Sequence, residues 1–244
     1  FNMDAFASFS IVNGAFISNT GDEINPGAIR TSGNEPVLIS NTYFENNKGS
    51  CIYSITNKFN LEFCTFINNS LYSNESIHSS LIYLNIKEER NKMISGCTFC
   101  SNNLIIEATV EGSLKFLDCV FEGYHSNYPL ILNHINSKGD EGTIYENCKF
   151  QNNSYCSSIV ALQSEVHKHK FIGCYIQNNL METASFFISE GSEYDSIWFD
   201  DCYFIDNVGN EYGGSILINE CKSSVSVTNS HFINDKAGNG GGIC

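Results

Sequence analysis

Apolar and polar positions along this chain fall into a nine-residue pattern that returns nine times: apolar, any, Asx or Gly, small or Cys, any, Phe, any, any, Asn. Its anchor stands at Phe16, Phe44, Phe66, Phe99, Phe121, Phe150, Ile176, Phe204 and Phe232, at intervals of 22 to 33 residues. Self-similarity at such a period marks a solenoid or an array. Five residues before the anchor the column is apolar in every copy, from Ile11, Ile39 and Leu61 to Phe171, Phe199 and Val227, which is the inward position of a preceding strand. Three before the anchor, eight copies carry Asx or Gly, and Phe63 is the departure. Three after it stand Asn19, Asn47, Asn69, Asn102, Tyr124, Asn153, Asn179, Asn207 and Asp235. Asn and Asp tolerate a left-handed backbone and bond their own turn. Each anchor segment is therefore predicted to be a short strand with a corner at both ends, the second corner lying at this Asn column.

A third apolar segment follows after a loop of variable length, opened by small residues, as in Gly27-Ala28-Ile29, Ser157-Ser158-Ile159, Gly213-Gly214-Ser215-Ile216 and Gly240-Gly241-Gly242-Ile243. Three short strands in each repeat of ~27 residues are too narrow to bury their own faces and must stack on the next repeat. The pattern predicts an all-β chain, a right-handed parallel β-helix of about nine rungs with three short strands per rung. At a strand spacing of ~4.8 Å it forms a rod about 40 Å long. No window sustains the i, i+3, i+4, i+7 spacing of a helix. Residues 1–244 read as one domain, since a solenoid core grows by addition. The chain opens inside a rung and stops just after a third-strand motif, so it reads as an excerpt of a longer solenoid. Phe1 to Ser10 lack the basic and continuous apolar regions of a signal peptide.

Composition changes this picture little, whereas charge narrows the partners. The net charge is −14, from 27 acidic and 13 basic residues, which argues against nucleic acid and anionic membrane surfaces because phosphate binding needs clustered Lys and Arg. The nearest basic groups, Lys168-His169-Lys170 and Lys87, Arg90 and Lys92, fall in segments expected to be loops. No apolar run approaches the ~18 residues of a membrane span, so membrane attachment is expected only through regions outside this segment.

Six of the 11 cysteines, Cys64, Cys97, Cys119, Cys148, Cys174 and Cys202, stand two residues before the anchor. Two residues apart on a strand means the same face, so this column points inward with the Phe column. In-register side chains sit near the ~4.8 Å strand spacing, whereas a disulfide wants Cβ atoms ~3.8 Å apart, and reduced buried thiols are expected. Cys97 and Cys100 form a C-x-x-C that crosses one strand, so one faces in and the other out, and a metal needs convergent ligands. His167 and His169 read as an exposed loop pair with no third ligand. No cofactor or metal is expected. Asp200-Asp201 is the one adjacent acidic pair near an anchor strand, but Asp201 occupies the corner column, which explains it without catalysis.

The alternation of F-x-x-N, as in Phe44-Glu45-Asn46-Asn47, Phe66-Ile67-Asn68-Asn69 and Phe204-Ile205-Asp206-Asn207, with G-G-[A/S]-I, as in Gly213-Gly214-Ser215-Ile216, resembles the repeats of chlamydial polymorphic membrane proteins and of similar large surface proteins of trichomonad protists. The resemblance covers nearly the whole chain. It implies a surface-exposed, non-enzymatic β-helical stalk or passenger at the cell surface or outside the cell, concerned with adhesion or host contact. A second class of function is an intracellular structural protein whose rod binds neighbours laterally or end to end. A third, drawn from the fold, is a polysaccharide lyase or glycoside hydrolase, which requires paired carboxylates on one exposed face.

In a solenoid the core columns are committed to stacking, so specificity lies in outward faces and insertions. The longest insertions are expected at Gly21 to Pro26, Ser70 to Ser80, Lys87 to Met93, Asn133 to Thr143, Ser164 to Lys170 and Glu190 to Ser196. Strand alternation turns Tyr175, Tyr203 and His231 outward, with Ile205 and Ile233 beyond the anchor and Trp198 on the neighbouring strand. Together they are expected to form one exposed aromatic and aliphatic ribbon that contacts a protein or glycan ligand. Of the three N-x-S sequons, Asn68, Asn74 and Asn152, only Asn74 stands in a long loop and is the candidate glycan acceptor.

Overall fold

The computed structural model describes residues 2–5, 8–21, 26–70, 81–87, 92–102, 106–125, 135–137, 142–154, 158–162, 168–189, 196–219, 222 and 224–244. All regular structure among them is β, and every strand pairing is parallel. Each repeat contributes one strand to each of three faces of a parallel β-helix. The leading sheet has nine strands, from Phe9–Val12 to Ser224–Thr228, and the anchor sheet also has nine, from Ala15–Ile17 to His231–Ile233. The trailing face is divided into six strands, from Asn2–Ala5 to Ile135–Ser137, and three, from Val160–Leu162 to Ile216–Asn219.

Register follows the repeat. Phe44 pairs with Phe66, Phe99 with Phe121, and Ile176 with Phe204, so identical columns lie over one another and their rings stack. Centroids are 4.6 Å apart for Phe44–Phe66, 5.0 Å for Phe66–Phe99 and 4.8 Å for Phe121–Phe150. A second file, Phe116, Tyr145, Phe171 and Phe199, runs up the leading sheet and meets the anchor file edge to face, as at Phe116–Phe121 and Phe199–Phe204. Where Ile176 interrupts the anchor file, Phe186 of the trailing strand Phe186–Ser189 reaches across the core, edge-on to Phe150, Phe171, Phe199 and Phe204.

Two left-handed corners bound every anchor strand. The first is the column three before the anchor, with φ between 47° and 61° at all nine positions from Asn13 to Asn229, Phe63 included. The second lies two residues after the anchor, at Ser18, Asn46, Asn68, Ser101, Gly123, Asn152, Asn178, Asp206 and Asn234. This corrects the expectation that the Asn column three after the anchor makes the turn. That column points inward and bonds between rungs instead. The Asn47 N–H and Nδ2 both donate to Asn69 Oδ1 at 2.9 Å, while Nδ2 also donates to Phe16 O at 2.8 Å. Asn69 repeats the arrangement onto Asn102, Asn153 onto Asn179 and Asn179 onto Asn207. Tyr124 interrupts the ladder, although its N–H still donates to Asn153 Oδ1.

All six column cysteines are buried and free. The thiols donate to backbone carbonyls near the first corner: Cys64 Sγ to Glu62 O at 3.3 Å, which also accepts from the Asn41 N–H, Cys174 Sγ to Tyr145 O at 3.3 Å, and Cys202 Sγ to Phe171 O at 3.4 Å. Hydroxyls do the same work at either end, Thr42 Oγ1 donating to Ser40 O and Ser230 Oγ to Thr228 O. Burial pushes the Cys148 thiol up, and its bonds to Cys119 and Cys174 add to the effect.

Several segments expected to be loops are strands. Lys92 and Met93 lie in Lys92–Ser95, Thr143 opens Thr143–Glu146, Ser196 opens Ser196–Asp200, and Ile135–Ser137 is a trailing strand inside the expected Asn133 to Thr143 insertion. Lys168, His169 and Lys170 belong to Lys168–Ile172. His169 is therefore no exposed loop residue: at 3% exposure it faces the core beside the Tyr145 ring, because the pairing Thr143↔His169↔Ile197 puts it in an inward column. His167, Asn74 and most of the insertions Gly21 to Pro26 and Ser70 to Ser80 lie outside the described residues.

Candidate contact surface

Three-residue anchor strands held between two left-handed corners show only their first and third side chains to the outside. In Tyr175–Gln177, Tyr203–Ile205 and His231–Ile233 the middle residue is the inward anchor. The first positions form one outward file. Tyr175 and Tyr203 stack at 4.9 Å with ring planes 8° apart, and Tyr203 and His231 at 4.9 Å and 23°. Register accounts for this, since Tyr175, Tyr203 and His231 are direct partners across the sheet. Tyr175 is 40% exposed and His231 is exposed, while Tyr203 between them is half-buried by its neighbours.

The third positions form a parallel file that changes character along the rod. Gln151 Nε2 donates to Glu122 Oε2 at 2.7 Å and Gln177 Nε2 to Gln151 Oε1 at 3.1 Å, and then the file turns apolar at Ile205 and Ile233, the latter 43% exposed. The apolar part thus lies beside the aromatic file. The corners that flank it are Asp201 and Asp206 around the Tyr203 strand, both exposed, and the uncharged Gly173, Asn178, Asn229 and Asn234 around its neighbours.

Trp198 does not join this face. It stands on the leading strand Ser196–Asp200, across the left-handed Asp201 corner, with Lys170 Nζ 5.6 Å from the centre of its ring and Ile172 exposed in the preceding rung. Alternation correctly turns Trp198 outward, but the corner divides the expected ribbon into two patches on different sheets.

A second aromatic file, not foreseen from the sequence, lies on the trailing face. Arg30, Tyr53, Tyr83 and Glu107 are successive partners. The Tyr53 and Tyr83 rings stack at 4.7 Å, and the Arg30 guanidinium lies 5.4 Å from the Tyr53 ring centre. Burial, then the neighbouring Tyr53 and Glu107, push the Tyr83 hydroxyl above its ordinary range. The signal was present as the residue after the first Ile of each third strand, in Ile29-Arg30, Ile52-Tyr53, Ile82-Tyr83 and Ile106-Glu107. Variable loops before those strands hid the alignment.

The acidic pair has structural partners. Asp200 accepts hydrogen bonds from Thr228 Oγ1 at 2.7 Å and Asn229 Nδ2 at 3.0 Å, which hold its carboxyl below the usual range, and Asp201 is a left-handed corner residue. Cys97 is buried and Cys100 partly exposed, so the C-x-x-C does not converge. Among the described residues no three His, Cys, Asp or Glu side chains are grouped to hold a metal ion. Asn68 and Asn152 are exposed at left-handed corners rather than packed against them. No family model matches the chain, and no curated protein matches it.

Proposed function

We propose that this chain is a non-catalytic, extended scaffold whose outward faces make contact with other molecules, in adhesion or partner contact at the cell surface or outside the cell. The observation that carries this reading is the Tyr175–Tyr203–His231 file with Ile205 and Ile233 beside it. Inward columns are committed to rung-on-rung stacking, so these residues contribute little to folding and yet present contiguous apolar surface, which usually marks contact. The F-x-x-N and G-G-[A/S]-I alternation, similar to the repeats of chlamydial polymorphic membrane proteins, supports the same reading. The test compares Tyr203→Ala and Trp198→Ala, each verified as folded by circular dichroism, in binding of the intact chain to cells or surfaces. Loss in the tyrosine variant alone is the expected result. Unchanged adhesion in both removes these faces from consideration.

A structural rod that associates laterally with its neighbours is the second reading. It is favoured by the Tyr53–Tyr83 file, which gives the rod a second aromatic face on a different sheet. Sedimentation of the intact chain and of Tyr53→Ser separates the two, since lateral assembly requires self-association that the variant weakens.

A further inference from the structure

We infer that the Tyr175–Tyr203–His231 face takes an elongated, planar aromatic cation lying along the rod axis. This rests on the contact-surface reading above and names the chemistry of the partner. The rings of the file stack on one another, at 4.9 Å for both pairs, so their faces are occupied and their edges point outward. Ring edges pack against the face of another ring, and here they supply apolar contact area and shape, while the sign of the charge is set by the carboxylates that flank the file. A flat ligand laid across the file therefore gains edge-to-face contacts, whereas one that had to insert between the rings would break the stack.

Size and shape agree. From Tyr175 to His231 the file covers about 10 Å along the axis, two strand spacings, which suits two or three linked rings. Ile205 and Ile233 stand two residues further along the same strands, about 7 Å away at the usual rise. Phe204 and Phe232 between the files point inward. The two files thus border a shallow channel parallel to the rod, with strand backbone as its floor. Upstream the channel ends at the exposed Lys149, whose ammonium repels a cation from the Tyr175 end and leaves the positive charge over the Tyr203 rung, and at Gln177 before Ile205 in the other file.

Charge selects the sign. The middle strand of the channel is the one whose two corners are carboxylates, exposed Asp201 on one side and exposed Asp206 on the other, and the whole chain carries −14. A ligand with its positive charge near its centre meets both. The trailing file supplies a contrast within the same molecule: there Arg30 already lies over Tyr53, so the protein provides its own cation and leaves none to be recruited.

The probe is thioflavin T, a planar aromatic cation, titrated into the intact chain by fluorescence, with Congo red as a planar anion and tetramethylammonium as a cation without rings. Saturable binding of thioflavin T alone is expected. Tyr203→Ser weakens it about tenfold with unchanged circular dichroism, the loss of one aromatic contact. The Asp201→Asn, Asp206→Asn double variant keeps residues that tolerate the left-handed corners, yet it weakens binding and removes most of its salt dependence. Tyr53→Ser leaves binding unchanged. Absence of thioflavin T binding, equal binding of Congo red, or loss in Tyr53→Ser rather than Tyr203→Ser overturns the inference. If Tyr203→Ala abolishes adhesion while thioflavin T does not bind, the ligand class falls and the contact surface stands.

Discussion

At the scale of single residues, the departures from the repeat are the most instructive. Phe63 occupies a left-handed corner at φ 53° and is 61% exposed, where Asn or Gly stands in most rungs. It is accommodated by the glycine one rung on: a Cβ at Gly96 would lie 2.6 Å from Phe63 Cδ1. Asp235 is the other telling exception. Its Oδ1 accepts from Asn207 N–H and Nδ2 at 2.9 and 3.0 Å, as an asparagine would, but its buried Oδ2 has no hydrogen-bond partner. Elsewhere in the ladder that position is an Nδ2 that donates to an anchor carbonyl of the preceding rung. Burial raises the Asp235 carboxyl above the usual range. The proton is thus held more tightly in the folded chain, so this residue's contribution is fully present below the ordinary carboxylate pKa of ~3.9 and is lost as pH rises through the raised value. Urea midpoints should fall across that window in the native chain. Asp235→Asn should abolish this part of the pH dependence and add about 1 kcal/mol at pH 7 through one further hydrogen bond. A flat profile in the native chain would show that Asp235 is not held this way.

At the scale of elements, the strand–corner–strand unit was readable because each column keeps its chemistry through nine copies, while the exact turning residue was not. Asn46-Asn47, Asn68-Asn69 and Asn152-Asn153 offer two asparagines side by side, and either could turn the chain. What separates the columns is their exceptions: Ser18, Ser101, Gly123 and Asp206 in the first are turn formers, whereas Tyr124 in the second is a core residue. Asn153→Ala deletes bonds to Phe121 O and Asn179 Oδ1 and the acceptor of Tyr124 N–H. Stranding buried polar groups makes it cost about 3 kcal/mol. Asn152→Ala places an ordinary side chain at a left-handed corner and should cost only ~1–2 kcal/mol. The reverse order in chemical unfolding would return the turn to the inner column. Parity sets which side chains face outward, but it carries no information on which sheet they share, and on parity alone Trp198 falls in with Tyr203.

At the scale of the whole molecule, stability is additive along one axis, because a rung touches only its neighbours. Phe121 lies between Phe99 and Phe150, with centroids 5.1 and 4.8 Å away. Phe121→Ala should cost about 3–5 kcal/mol. Hydrogen exchange should quicken in Thr98–Cys100, Val120–Glu122 and Lys149–Gln151 while Tyr203–Ile205 keeps its protection. A uniform increase would mean that the rod unfolds as one unit. The amide ladder adds a property that the stacked rings lack. In every link seen, the donor belongs to the earlier rung and the Oδ1 acceptor to the later one. The side-chain dipoles therefore all point the same way, and hydrogen bonds aligned in this manner polarise one another. The core file is a vector. Its last member breaks the series, because Asp235 Oδ2 stands where an Nδ2 would donate, and Asp235→Asn is what would let a further amide be added with donor meeting acceptor.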